Sequence, residues 1–76
     1  MHLKELQYLV TLADEGSISR AAGRLYMAQS SLSQFLKQYE AELGAVLFVR
    51  TSKGLTPTAA GKLFIENARS MIYQYL

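Results

Sequence analysis

The sequence predicts a mainly α fold: a core of three helices, a short β-hairpin and a long last helix. Three observations predict it. Apolar residues recur at helical spacing in four separate segments of the chain. Gly16 and Gly44 each stand just after one of those segments, where glycine's access to the left-handed conformation ends helices. The run "VLFVR", from Val46 to Arg50, is instead short, apolar and β-branched, and "GLT" follows it across Thr51, Ser52 and Lys53.

Seventy-six residues make one small domain, near the lower limit for a chain that folds on its own core. Half of the residues are hydrophobic, a surplus that needs burial inside the domain or against a partner. With no cysteine and a single histidine, His2, no disulfide framework or zinc cluster can stabilise it. His2 reads as part of a solvated terminus, and the lack of cysteine fits a reducing compartment. No apolar run approaches the ~20 residues needed to cross a bilayer. The opening "MHLKELQYLV" lacks the basic-then-apolar layout of a secretory signal. The expected location is the cytoplasm, with no membrane contact.

In order along the chain, Leu3, Leu6, Leu9, Val10 and Ala13 form the apolar stripe of a first helix from about Leu3 to Glu15. Ser17 follows Gly16 and can cap a second helix by accepting a hydrogen bond from an orphan amide. That helix ends near Leu25, with Ile18, Ala21, Ala22 and Leu25 inward, and its paired alanines let another helix approach closely. After the break "YMA", Leu32, Leu36, Tyr39 and Leu43 follow one buried stripe of a third helix, from about Gln29 to Gly44. The hairpin comes next, with Gly54 in its turn. "TPTAAGKLF" then reads as a helix start, with Thr56 as cap and Pro57 at the first helical position, where its missing amide costs nothing. The last helix would run from Pro57 to Leu76.

Function enters through the polar face of the third helix. At about 100° per residue, Gln29, Ser33 and Lys37 lie on one face with Ser30 and Gln34 beside them, while Leu32, Leu36 and Tyr39 point away. No acidic residue occurs between Ser17 and Tyr39. Basic residues are concentrated from Gly16 to Lys62, where Arg20, Arg24, Lys37, Arg50, Lys53 and Lys62 face only Glu40 and Glu42. An ordinary solvated helix face mixes Glu with Lys. An acid-free row of short donors and acceptors instead suits the major groove, whose base edges Gln, Ser and Lys can match. The helix N-terminus adds orphan amides that favour a nearby phosphate.

Two helices joined by a tight turn, the first short and alanine-rich, make a helix-turn-helix at about residues 18–37. Arg50, Thr51, Ser52 and Lys53 at the hairpin tip are placed to grip a sugar-phosphate backbone without reading sequence. With this wing, at about residues 46–56, the domain over residues 1–58 becomes a winged helix-turn-helix, and residues 57–76 become a linker helix.

The segments "LADEGSISRAAGRL", "AQSSLSQFLKQYEAELGAVLFVRT" and "LTPTAAG" together resemble the N-terminal DNA-binding domain of LysR-type transcriptional regulators, over nearly the whole chain. The resemblance implies base contacts by Gln29, Ser33 and Gln34, with Ser30, Ser31 and Lys37 as further ones. It also implies backbone contacts by Arg50 and Lys53, joined by Ser17, Arg20, Thr51 and Ser52. It implies a homodimer paired through the linker helix, and a small-molecule effector bound only by a further domain of a full-length regulator, with no cofactor or metal in this one. The chain departs from the family pattern at Ala28, where a Ser that could cap the third helix is usual. It departs again at Ser30 for a frequent Pro, at Gln34 for a common Arg, and at Phe35, an apolar residue that reads as extra packing.

Catalysis finds no support: there is no cysteine, no phosphate-cradling glycine loop, and no carboxylate pair beyond the surface charges Glu40 and Glu42. The rival is a helical protein-interaction module that never touches nucleic acid, for which the apolar last helix speaks. That helix would be about 30 Å long at 1.5 Å per residue. It stops at "MIYQYL" without a terminating residue, as a fragment of a longer regulator would. Its surplus apolar residues Leu63, Phe64, Ala68, Met71, Ile72 and Tyr75 are candidates for an isologous contact with a second copy. Two such subunits would read a roughly palindromic double-stranded operator.

Overall fold

The computed structural model describes residues 2–75, the side chain of Tyr75 excepted. The elements follow the order α1 (Leu3–Glu15), α2 (Ile18–Arg24), α3 (Gln29–Leu43), β1 (Phe48–Thr51), β2 (Gly54–Pro57) and α4 (Ala59–Tyr75).

Helix α1 starts where the Glu5 carboxylate accepts the His2 backbone N–H at 3.2 Å, which satisfies one orphan amide. It buries Leu6, Leu9 and Leu12 and stops at Gly16, whose φ of 62° puts it in the left-handed region. The Ser17 hydroxyl accepts the Arg20 amide at 3.2 Å, the cap expected of it. Ala21 and Ala22 are buried on the inner face of α2 beside Ile18, while Leu25 is half-buried at its end. The α2–α3 turn passes through Tyr26, which has a φ of 56° and is 96% exposed.

Helix α3 begins at Gln29 without a side-chain cap from Ala28, as alanine dictates. Leu32 and Leu36 enter the core, which is built around the fully buried Leu9, Leu12, Leu32 and Leu47. Phe35 and Tyr39 join a row of aromatic rings instead. Ring centroids lie 5.1 Å apart for Tyr8–Phe35, 5.6 Å for Phe35–Tyr39 and 5.9 Å for Tyr39–Phe64, within the range where edge and tilted pairs attract. Burial, reinforced by the Glu5 and Glu42 carboxylates, raises the Tyr39 phenol above its ordinary pKa. Leu43 departs from the predicted buried stripe: it is exposed, because α3 ends there and the left-handed Gly44 turns the chain away, while Leu47 beyond the turn is buried.

The hairpin pairs Phe48 with Pro57, Val49 with Thr56, Arg50 with Leu55 and Thr51 with Gly54. This register corrects the expected start of the last helix. Thr56 and Pro57 belong to β2, and the cap is Thr58, whose hydroxyl accepts the Gly61 amide at 2.9 Å. The physical reason is the tether of Thr58 to the loop before β1: its N–H donates to the Leu47 carbonyl at 2.9 Å and its hydroxyl to the Val46 carbonyl at 2.6 Å. Proline at the strand end gives up no ladder bond. Helix α4 turns Gly61, Ile65 and Ala68 to the core and lies along α1, where Arg69 pairs with Asp14.

Candidate nucleic-acid interface

The N-terminal turns of α2 and α3 and the wing enclose an open cleft of about 500 Å³. Its walls carry Ser17, Ser19, Gln29, Ser30, Ser33, Arg50 and Thr51, over a floor of Ile18 and Leu55. No acidic side chain lines it. The local sequence explains the convergence. Ile18 points down as an anchor of α2, so Ser17 and Ser19 flank it at the rim. Leu32 and Leu36 hold α3 by its other face, so Gln29, Ser30 and Ser33 turn towards the opening.

A backbone contact fixes the wing against this opening. The Leu55 amide donates to the Gly16 carbonyl at 2.9 Å, joining β2 to the α1–α2 corner. The approach is so close that a side-chain carbon on Gly54 would fall 2.5 Å from the Gly16 oxygen. Arg50, opposite Leu55 in the ladder, is thereby held at the mouth of the cleft.

The structure thus gathers Gln29, Ser30, Ser33, Ser17, Arg50 and Thr51 of the expected contact residues. Ser31, Gln34 and Lys37 are exposed on α3 but lie outside the cleft, as do Ser52 and Lys53 in the exposed turn of the wing. Arg20 is drawn the other way: it donates to the Glu15 carbonyl at 3.1 Å, while Arg24 pairs with the Glu15 carboxylate at 3.1 Å. Both pairs are exposed, so they hold the guanidinium groups only weakly. The Thr51 hydroxyl is engaged within the wing, accepting the Lys53 amide at 3.2 Å and bonding Thr56 at 3.2 Å. These bonds shape the turn of the wing.

Ser19 escaped the sequence reading. Gln29 donates from Nε2 to the Ser19 hydroxyl at 3.3 Å, which leaves the Gln29 carbonyl oxygen and its second N–H for another partner. The available signal was its place one residue inside the helix that Ser17 caps.

On α4 the six expected dimer residues divide. Ala68 is buried and Phe64 packs half-buried on Tyr39, so these two cover the core within the chain. Ile72 is half-buried. Leu63 is 63% exposed and Met71 44%, with Tyr73 also outward at 80%. The side chain of Tyr75 lies outside the described residues. Among the described residues no helix is long and apolar enough to cross a membrane, and no cluster of three His, Cys, Asp or Glu could hold a metal.

The chain is similar to known proteins over nearly its full length. Residues 3–62 match the model for "Bacterial regulatory helix-turn-helix protein, lysR family". The HTH-type transcriptional regulator ClcR of Pseudomonas putida is 40% identical over 73 residues, which are 96% of this chain and 25% of ClcR. The nitrogen assimilation regulatory protein nac of Klebsiella aerogenes is 42% identical over 74 residues, 97% of this chain and 24% of that protein. The crystal structure of a CbnR_DBD–DNA complex superposes with a TM-score of 0.89 at 35% identity, covering 99% of this chain and 86% of that one. The chain spans about a quarter of the length of the curated relatives it matches. A four-helix fold with a two-stranded wing, shared at this identity and over this length, settles the family: the chain belongs to the lysR family of bacterial regulatory helix-turn-helix proteins.

Proposed function

We propose that this chain binds double-stranded DNA sequence-specifically, as the DNA-binding part of a cytoplasmic transcriptional regulator. Helix α3 lies in the major groove, where Gln29, Ser30 and Ser33 meet base edges, and the wing holds the sugar-phosphate backbone through Arg50 and Lys53. The observation that carries this reading is the acid-free cleft in which the polar start of α3 and Arg50 face one opening. Ser31, Gln34 and Lys37, exposed on α3, add contacts as the duplex follows the helix, and Ser17, Arg20, Thr51 and Ser52 add them along the backbone. The likeness to a lysR-family domain solved on DNA supports it. The role is non-enzymatic and uses no cofactor; a small-molecule effector belongs to another domain of the full-length regulator.

The exposed Leu63 and Met71 on α4, with Ile72 at their edge, favour a second copy as partner. A homodimer paired through α4 would set two α3 helices on successive major grooves of a roughly palindromic operator. Selection from random duplexes, followed by mobility shifts at two salt concentrations, tests the proposal. Enrichment of a two-fold-related motif is expected. Failure to retard any duplex at low salt would leave the protein-interaction module as the better account.

A further inference from the structure

Four backbone amides between α3 and the wing close on a single residue. The Glu40 carbonyl accepts the Gly44 amide at 2.8 Å and the Ala45 amide at 3.2 Å, which seals the end of the helix. Its carboxylate Oε2 then accepts the Leu47 amide at 2.6 Å and the Phe48 amide at 3.2 Å. Phe48 is the first residue of β1, so the side chain of an α3 residue grips the wing at its root. Among the described residues no Lys or Arg pairs with Glu40. Its charge is met by amides alone, in charge-assisted bonds of the stronger kind. The same loop is held from the other side by Thr58, through the Val46 and Leu47 carbonyls.

We propose that Glu40 is a positioning residue for DNA binding. It sets where the wing stands relative to the base-reading face of α3, so that Arg50 meets the backbone of the duplex that Gln29 and Ser33 read. Glu40 lies outside the cleft, so its effect on the duplex is indirect. A carboxylate near DNA is ordinarily repelled by phosphate; here its bonds turn it towards the loop. The proposal rests on the DNA-binding reading above, and it assigns to Glu40 an effect that passes through Arg50.

The test is a double-mutant cycle on the 76-residue chain. Glu40→Ala, Arg50→Ala and the double variant are titrated against a selected and a random duplex over a range of salt. Glu40→Ala is expected to weaken both duplexes by about tenfold, the loss typical of one charged hydrogen bond, and to lower the salt slope by about one unit. The ratio of selected to random binding should hold, and the double variant should bind no more weakly than Arg50→Ala alone. Glu40→Gln, which keeps a side-chain oxygen for the same amides, should fall between wild type and Glu40→Ala. It should also speed hydrogen exchange at Leu47 and Phe48 in the free protein while leaving Leu9 and Leu32 protected. If Glu40→Ala does not fold, Glu40→Gln and its double with Arg50→Ala decide by the same criteria. An unchanged salt slope, or losses that multiply with those of Arg50→Ala, would overturn the role of Glu40 alone. A wild-type chain that binds no duplex would overturn it together with the DNA-binding reading.

Discussion

Gln29 is the first residue of α3 and has one amide N–H already directed to Ser19. Holding the amide plane this way leaves one acceptor and one donor free, the pair that matches an adenine in the major groove. Gln29→Ala should therefore cost about 1–3 kcal/mol on the selected duplex and almost nothing on random DNA. Equal losses on both, measured by titration, would remove Gln29 from base reading. Arg50 and Lys53 carry no such information. Arg50→Ala and Lys53→Ala should each weaken all duplexes alike and reduce the salt slope by about one unit. A slope that stays the same would mean the wing does not touch DNA.

At the scale of elements, one junction lacks a cap and another leaves no room. The α3 start has extended backbone at Ala28, with φ −70° and ψ 144°, and no side-chain cap. Ala28→Ser should supply the missing acceptor and raise stability by about 1 kcal/mol, seen as a higher urea midpoint at constant slope. The opposite holds where α4 meets the loop before β1. A side-chain carbon on Gly61 would fall 2.0 Å from the Leu47 carbonyl oxygen, which is backbone and cannot swing aside. Gly61→Ala should lower stability by about 1–3 kcal/mol, since overpacking must be relieved by moving α4 or the loop. An unaltered denaturation curve would show that this junction is looser than its geometry implies.

For the whole molecule, the open question is what covers the outer face of α4. Seventeen residues make it about 26 Å long, and Leu63, Met71 and Tyr73 stand out from it. If a second copy covers this face, Leu63→Glu and Met71→Glu should each shift the chain towards monomer, because each would bury an unpaired charge. Sedimentation at tens of micromolar would report it. A wild-type monomer that neither substitution changes would assign the face to another partner.

The sequence by itself determined the element types, the α1, α2 and α3 boundaries, the Ser17 cap, the Gly16 and Gly44 stops and the acid-free face of α3. These depend on local periodicity, backbone freedom and charge, which a linear pattern displays. Its segments also carried the family resemblance. Tertiary structure decided the rest. Thr56 and Pro57 look like a helix start until the hairpin register and the Thr58 tether to Leu47 place them in β2. Leu43 fits the buried stripe, yet at the end of α3 the fold leaves it exposed. Phe64 and Ala68 are as apolar as Leu63 and Met71, and only the packing of α4 on α1 and Tyr39 separates inward from outward. The partners of Ser19 and Glu40 depend on the same packing: each makes a hydrogen bond to a residue that folding alone brings beside it.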